Sequence, residues 1–251
     1  MSDARRGSSA GQAKGALSAS EVKSPRSKAE ARRIAYEGLH RARAARFPFP
    51  IEGRIPNFKG AEAAARKLRQ LPAYQQARML KVNPDAPQLP IRAMALADGK
   101  TLYLPSPRLR GAFLRIRPED VPAGEERKAA SLSHAHRYGR EICLRELQED
   151  LQKSPGIGLI VCGCVAVSPK GARAGKGEGY SDLEYALLRE LGHSHIPVVT
   201  TVHPAQIIAG LEPEAHDLSV DYIITPDEVI ETGSPYPKPE GIVWELLPPE
   251  R

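Results

Sequence analysis

The sequence predicts an α/β fold with a mostly parallel sheet and helices on both faces. Strand-like and helix-like segments alternate in the second half of the chain, with an apolar run over residues 158–167, a helical pattern over 182–191 and apolar runs over 197–202 and 222–225. This alternation is typical of parallel sheets, because each parallel connection has to cross back over the sheet. Hydrophobic residues make up 41% of the 251 residues, which is enough to build a substantial core.

The chain is expected to begin with a disordered basic tail over residues 1–24, where charged and small residues follow no apolar period. Residues 25–251 are then expected to form a single domain. Its first helix should begin near Ser24 or Ser27, carry Pro25 in its first turn and run through Arg46. The prolines of the segment 47–50 should end it.

The remaining pattern divides into helices and strands of ordinary length. The predicted helices span residues 60–70, 71–80 and 131–153, and Gly139 should break the last of them. A separate helical turn is predicted at 205–208. The predicted strands span residues 91–96, 101–104 and 241–246. Asp98-Gly99-Lys100 lies between the first two of these strands, and a turn of this composition predicts a hairpin.

The formal charge of +6 indicates an anionic partner, either a nucleic acid or a small anion such as a nucleotide. Aromatic residues make up only 5% of the chain and do not alternate with basic residues, so a small-molecule substrate is favoured and nucleic acid is not expected. No apolar run reaches the roughly 18 residues of a membrane span, and residues 1–30 lack the apolar core of a signal peptide. Three cysteines do not suggest a disulfide framework and fit a reducing cytoplasm.

A glycine-rich segment between the strand 158–167 and the helix 182–191 is the strongest functional signal. Gly175, Gly177 and Gly179 alternate with charged residues, and the helix begins directly afterwards. Glycines let backbone N–H groups approach an anion, and a helix N-terminus adds unpaired donors, so the segment predicts a phosphate cradle. Asp182 lies at the helix start, where it could cap the helix or hold Mg²⁺ on a phosphate.

Other charged clusters are less specific when taken alone. Lys28 and Arg32 lie four residues apart on one helical face, which by itself indicates a solvated surface. Asp217 and Asp221 precede a predicted strand and could include a metal ligand or simply make a polar loop. The segment 81–85 has the composition of a turn that needs no ligand. Two further polar clusters, at 200–203 and 225–227, end predicted strands and are candidate parts of the same site.

Taken in order, three motifs resemble those of the 5-formyltetrahydrofolate cyclo-ligases, also called methenyltetrahydrofolate synthetases. They are Lys28-x-x-x-Arg32, the glycine segment from Gly171 to Asp182, and the stretch His216-Asp217-x-x-x-Asp221. The chain is most similar to a divergent, methenyltetrahydrofolate synthetase domain-containing branch, which shares the stretches 53–58, 81–85, 175–185 and 200–203. This resemblance implies a fold of the ribose-isomerase and CoA-transferase type.

The resemblance also implies an activity and its residues. The family converts 5-formyltetrahydrofolate and ATP to 5,10-methenyltetrahydrofolate, ADP and phosphate, with Mg²⁺ as cofactor. By resemblance, ten residues would form the site. These are Lys28, Arg32, Arg173 and Lys176 for the phosphates, Gly175, Gly177 and Gly179 for backbone donors, Asp182 and Asp217 for Mg²⁺, and Tyr180 for the folate or phosphate pocket.

Three positions depart from the usual family pattern and keep an alternative open. Ser181 stands where the cyclo-ligases usually have a second Tyr, Leu183 where many have Arg, and Glu178 where a Gly or basic residue is common. The divergent branch has been linked to thiamine metabolism, so a nucleotide-binding paralogue without folate activity is the second hypothesis. A nucleic-acid-binding protein without catalytic activity is the third.

Overall fold

An eight-stranded mixed sheet forms the centre of the computed structural model, which describes residues 25, 27–105, 112–152, 156–193 and 195–243. The strands are β1 (Ala45–Arg46), β2 (Asn57–Phe58), β3 (Met79–Val82), β4 (Thr101–Pro105), β5 (Ala112–Ile116), β6 (Arg140–Cys143), β7 (Ile157–Cys162), β8 (Ala166–Val167), β9 (Arg173–Ala174), β10 (Val198–Thr201), β11 (Tyr222–Ile224) and β12 (Val229–Glu231). The α-helices are α1 (Lys28–Arg41), α2 (Ala61–Leu68), α3 (Pro72–Gln76), α4 (Leu89–Ala97), α5 (Glu126–Ala129), α6 (Leu144–Gln152) and α7 (Tyr180–Glu190).

The large sheet has the strand order β12-β11-β10-β7-β3-β4-β5-β6. Its five central strands, from β11 to β4, are mutually parallel, whereas β12, β5 and β6 pair antiparallel at the two sides. The four short strands β1, β2, β8 and β9 form two separate pairs. The predicted mostly parallel α/β sheet is therefore confirmed. Because parallel strands end at the same edge, the carboxyl ends of β3, β4 and β7 lie side by side.

Helices cover both faces of the sheet, as predicted. Along β7, Leu159 and Val161 belong to the core beneath α1, α2 and α4, whereas Ile160 and Cys162 belong to the core beneath α6 and α7. Successive strand residues point to opposite faces, so a strand that is covered on both sides reads as a continuous apolar run. This explains why β7 was visible in the sequence.

The predicted strand 91–96 is wrong, because this segment lies within helix α4. Pro90 occupies the first turn of α4, and Ile91, Ala95 and Leu96 are buried. A short helix that is apolar on most sides cannot be distinguished from a buried strand by its period alone. The predicted strand 101–104 is confirmed as β4, and the turn before it joins a helix to a strand instead of closing a hairpin.

The predicted long helix 131–153 is also wrong. The segment contains a 3₁₀ turn at Ala135–Arg137, strand β6 and the shorter helix α6. Gly139 precedes β6 at a point where a Cβ atom would lie 2.8 Å from Leu114 and 2.9 Å from Ile116. The glycine interpreted as a helix break is therefore needed for close packing of the chain against β5.

Several element boundaries differ from those predicted. Helix α1 begins after Ser27, whose hydroxyl accepts from the Glu30 N–H at 3.2 Å, but it ends at Arg41. The predicted helix 71–80 ends at Gln76, and its last residues begin the central strand β3. Residues 241–243 are not in a strand, and the rest of the predicted strand 241–246 lies outside the described residues, as does the tail 1–24. No helix in the described part of the chain is long and apolar enough to cross a membrane.

His193 links the end of α7 to the start of β7 and should make stability depend on pH. Its Nε2 accepts from the Ile157 N–H at 3.0 Å. Burial and then the nearby Arg189 lower the pKa of His193 below its ordinary value of 6.5, so the unfolded chain binds the proton more readily. We expect the free energy of unfolding to be maintained above pH 6.5 and to fall as the pH drops further. Denaturant titrations of the wild type and His193→Gln across this range check it, and equal slopes would contradict it.

Candidate functional site

A cleft of about 750 Å³ opens at the carboxyl ends of β3, β4 and β7. Its walls come from the start of α1, the residues that follow β3 and β7, Pro105 at the end of β4, the glycine loop 175–179, the first turn of α7 and the loop 214–217. All ten residues predicted for the site line this cleft, namely Lys28, Arg32, Arg173, Gly175, Lys176, Gly177, Gly179, Tyr180, Asp182 and Asp217. Their individual roles stay predictions.

The glycine loop closes the cleft over the N-terminus of α7. The Gly175 carbonyl accepts from Arg32 Nε at 2.6 Å, which connects the loop to helix α1. Gly177 and Gly179 have φ angles of +107° and +69°, in the region that favours glycine. Gly179 is the N-cap of α7 and offers no side-chain acceptor, so the first N–H groups of the helix are available to an anion.

Arg173 and Asp182 form a buried ion pair at the back of the cleft. Arg173 Nε also donates to the Leu218 carbonyl at 2.9 Å, and Asp182 Oδ1 accepts from the Leu218 N–H at 2.8 Å. Burial by itself would lower the pKa of Arg173, but the adjacent carboxylate raises it above the ordinary value. The guanidinium therefore stays charged and holds Asp182 and the backbone of Leu218 in fixed positions.

A second ion pair joins the first and last walls of the cleft. Lys28 Nζ lies 2.7 Å and 2.6 Å from the two carboxylate oxygens of Asp217, and 3.4 Å from Glu214. Asp217 Oδ2 also accepts from the Glu214 N–H at 2.6 Å. Possible ligand atoms of Glu214, His216 and Asp217 lie within 4.8 Å of one another. Carboxylate oxygens are the ligands that Mg²⁺ prefers, and Asp182 and Asp217 face the same cleft.

Lys176 and Glu178 face each other across the tip of the glycine loop, with Nζ and Oε2 separated by 2.9 Å. Burial would lower the pKa of Lys176, but the carboxylates of Glu178 and Asp85 raise it. The glutamate that departs from the usual family pattern thus neutralises a loop cation in this conformation. Both side chains are well exposed to solvent, so the pair can separate at little cost when an anion arrives.

Sequence reasoning missed the residues after β3. Asn83, Pro84 and Asp85 line the cleft, although the segment 81–85 has the composition of an ordinary turn. The buried Arg92 holds this loop, because its NH1 donates to the carbonyls of Asn83 and Asp85 at 2.6 Å and 3.1 Å. Burial raises the pKa of Asp85. The available signal was a strand of apolar residues with a lysine inside it, followed directly by polar residues at a parallel strand end.

The two other polar strand ends lie outside the cleft. The backbone N–H of Ala205 donates to His203 Nδ1 at 3.1 Å, so His203 caps the 3₁₀ turn Pro204–Gln206. Thr225 Oγ1 accepts from the N–H groups of Asp227 and Glu228 at 3.2 Å and 3.0 Å and stabilises the turn between β11 and β12. Both clusters therefore have local roles, and the expectation that they join the site is wrong.

The lining of the cleft also includes apolar residues. These are Ile55, Pro84, Pro105 and Leu132. A ligand with an anionic part and a flat or apolar part would match this mixed lining. The cleft thus resembles a site for a phosphorylated or polycarboxylate ring compound in its distribution of charge.

Comparison with known proteins identifies the family. The sequence pattern of the 5-formyltetrahydrofolate cyclo-ligase family matches residues 24–226. The chain belongs to this family. A methenyltetrahydrofolate synthase domain-containing protein from Mus musculus is 47% identical over 210 residues, which cover 80% of this chain and 54% of that protein. The protein of the same description from Homo sapiens is 42% identical over 207 residues, covering 79% and 51%.

The chain therefore spans about half the length of these curated relatives. Among solved structures, the NMR structure of 5,10-methenyltetrahydrofolate synthetase from Aquifex aeolicus matches with a TM-score of 0.51 and 18% identity, covering 84% of this chain and 95% of that one. At this identity the match supports the fold alone. It agrees with the mostly parallel α/β sheet that the sequence predicts.

The backbone of the glycine loop should tolerate substitution unevenly. A Cβ atom at Gly175 would contact only Arg173 NH1, at 3.3 Å, whereas Gly177 has the left-handed φ of +107°. We expect Gly177→Ala to lower the free energy of unfolding by about 1–2 kcal/mol, because an L-residue strains this conformation. Gly175→Ala is the matched control and should stay close to the wild type. Chemical denaturation of both variants checks the pair, and equal losses would contradict the argument.

Proposed function

We propose that this chain is an ATP- and Mg²⁺-dependent 5-formyltetrahydrofolate cyclo-ligase that forms 5,10-methenyltetrahydrofolate. The observation that carries the proposal is the convergence of the three family motifs on one cleft. Lys28 and Arg32, the glycine loop and the pair Asp182 and Asp217 are far apart in sequence but line the same space. The family of the chain adds the reaction class.

The chemistry requires an activated formyl oxygen. The oxygen is a poor leaving group until ATP phosphorylates it, after which N10 of the folate can close the ring and phosphate leaves. The protein mainly has to position the triphosphate and balance its charge. Lys28, Arg32 and Lys176 would contact phosphate oxygens, and the N–H groups at the start of α7 would bind another. Tyr180 would line the pocket between nucleotide and folate.

The carboxylates fit a divalent cation. Asp217 offers two oxygens that already accept from Lys28 and the Glu214 N–H, and Asp182 lies on the same cleft wall. When bound, Mg²⁺ would neutralise charge on the phosphates and polarise the bond to be broken. Arg173 would act mainly by holding Asp182 in place, since its guanidinium is already bonded within the protein.

Each predicted phosphate-binding lysine is paired with a protein carboxylate in this conformation, Lys28 with Asp217 and Lys176 with Glu178. A phosphate that takes a lysine leaves a carboxylate without a partner, and a divalent cation can then bind that carboxylate. Nucleotide and Mg²⁺ should therefore bind with positive coupling. This supports MgATP, rather than free ATP, as the species that the cleft accepts.

The direct test is a spectroscopic assay. Purified protein is mixed with 5-formyltetrahydrofolate and MgATP, and the absorbance of methenyltetrahydrofolate is followed. We expect product that depends on ATP and on Mg²⁺ and disappears with EDTA. Absence of product at high protein concentration would reject the proposal, and Lys176→Met provides a control for contaminating activity.

A second candidate is a paralogue that binds nucleotide but acts on another anionic metabolite, such as one of thiamine metabolism. The observation that favours it is the polar environment of Ser181, which accepts from Asn83 where the usual family residue is an aromatic one. The variant Glu178→Gly, Ser181→Tyr, Leu183→Arg tests this candidate. If the wild type is inactive on folate and the variant gains activity, the second candidate is supported. Efficient folate turnover by the wild type would exclude it.

A further inference from the structure

A buried lysine lies beneath the cleft, in the middle of the sheet. Lys81 on β3 is 1% exposed and forms an ion pair with Glu184 of α7, which is 3% exposed. Lys81 Nζ also donates to Asn83 Oδ1 at 2.6 Å. Removing two charges from water is costly, so such a pair requires good geometry and further hydrogen bonds. Asn83 supplies one of these bonds and at the same time reaches the cleft wall.

The charge of Lys81 determines the orientation of the Asn83 amide. An ammonium group can only donate, so the atom of Asn83 that faces it has to be the oxygen. The NH₂ group of the same amide then points the other way, toward Ser181. Asn83 Nδ2 lies 2.8 Å from Ser181 Oγ. This orientation follows from donor and acceptor chemistry and does not depend on resolving nitrogen from oxygen.

The orientation of the Asn83 amide in turn determines where the hydroxyl proton of Ser181 can point. An amide NH₂ group only donates, so the Ser181 oxygen accepts and its own proton is free to be donated elsewhere. Ser181 lines the cleft in the first turn of α7, beside Tyr180 and Asp182. Among the described residues, the only hydrogen bond of the Ser181 hydroxyl is the one that it accepts from Asn83. The hydroxyl is therefore prepared to donate to something in the cleft.

We propose that Lys81 and Asn83 orient Ser181 so that its hydroxyl donates a hydrogen bond to an oxygen of the bound substrate. This proposal rests on the proposed function, because the oxygen belongs either to a phosphoryl group of the nucleotide or to the formyl group of the folate. Lys81 and Asn83 act as positioning residues, and Ser181 is the group that contacts the substrate. The three residues thus replace an aromatic contact of the usual family pattern with a directed polar one.

Two variants test the hydroxyl in different ways: one removes it, and the other keeps it but turns its proton away from the cleft. Ser181→Ala removes the donor. Asn83→Asp keeps Ser181, but a carboxylate only accepts, so the serine proton is drawn to residue 83 and away from the cleft. We expect each variant to lower kcat/KM by about tenfold, the effect of losing one hydrogen bond of roughly 1–1.5 kcal/mol. Ser181→Thr should retain most activity, and Ser131→Ala, a serine outside the cleft whose hydroxyl donates to the Lys128 carbonyl, should retain all of it.

Binding measurements identify the oxygen and keep the test independent of turnover. Calorimetry with a nonhydrolysable MgATP analogue and with 5-formyltetrahydrofolate is run on the wild type, Ser181→Ala and Asn83→Asp, with melting temperatures as a check of folding. A loss confined to the nucleotide assigns a phosphoryl oxygen, and a loss confined to the folate assigns the formyl oxygen.

The outcomes distinguish this proposal from the proposed function. Turnover by the wild type with unchanged Ser181→Ala kinetics overturns the serine role and leaves the reaction standing. An inactive wild type whose ligand affinity falls in both variants rejects the reaction and supports the serine role. Affinities and kinetics that are both unchanged in a folded Ser181→Ala variant, or a wild type that binds neither ligand, overturn the serine role.

Discussion

Replacing Arg173 with methionine is expected to lower the free energy of unfolding by about 3–5 kcal/mol, the usual cost of breaking a buried ion pair from one side. The substitution leaves Asp182 without its counter-charge and the Leu218 carbonyl without its donor. Chemical denaturation at pH 7 measures the effect. The result is expected regardless of which substrate the cleft accepts, because the pair joins β9, α7 and the loop before β11 within the protein.

Arg33→Met is the matched control for this experiment. Arg33 pairs with Glu37 on the exposed surface of α1, where 59% and 51% of the two side chains are accessible. Surface pairs contribute about 0–1 kcal/mol, so this variant should remain close to the wild type. Equal losses in the two variants would show that burial of Arg173 has no energetic consequence.

Replacing Asp217 with asparagine is expected to lower MgATP-dependent turnover by about 100–1000-fold, the effect of removing one preorganised charged or polar group from a reacting site. The amide can still accept from the Glu214 N–H, so the loop should keep its conformation. The lost charge removes both the partner of Lys28 and the carboxylate proposed for Mg²⁺. Initial rates at several Mg²⁺ concentrations measure the change.

Asp227→Asn is the control, since Asp227 lies in the turn between β11 and β12, away from the cleft. We expect its rate and Mg²⁺ dependence to match the wild type. If Asp217→Asn retains full activity at low Mg²⁺, the carboxylate has no part in cation binding. A melting temperature close to that of the wild type would show that lost activity does not reflect unfolding.

The sequence revealed the elements whose signal is local. The glycine loop, α7 and β7 could be predicted because glycine spacing, a helix start and a run covered on both faces are properties of neighbouring residues. Strand β3 was missed because Lys81 interrupts its apolar pattern, and helix α4 was misread because most of its sides are buried. The two errors differ in cause: a buried lysine interrupts the apolar run of β3, whereas burial on most sides removes the helical period of α4.

The residues of the site could be predicted from the sequence, but the ion pairs and hydrogen bonds between them could not. The ten residues belong to recognisable motifs, and the cleft contains them all. The pairing of Lys28 with Asp217 joins positions 189 residues apart, and nothing in either motif specifies the other. The hydrogen bonds that connect Lys81, Asn83 and Ser181 were missed for a different reason. A lysine is usually interpreted as exposed, and only the sheet and α7 together remove this one from water.

The long separation between Lys28 and Asp217 has a consequence for synthesis of the chain. Helix α1 is made first, but its buried residue Ala35 and the neighbouring Gly38 belong to a region where the chain packs against Ala205. On the ribosome, α1 can contact the nearby residue Arg54 early, because the Tyr36 hydroxyl donates to its carbonyl. Its contacts with Ala205 and Asp217 can form only after most of the chain has emerged, so we expect this long-range closure to come late in folding. Nascent chains that stop before residue 217 should bind no nucleotide. Two fragments divided in an exposed loop should associate more tightly when nucleotide is present.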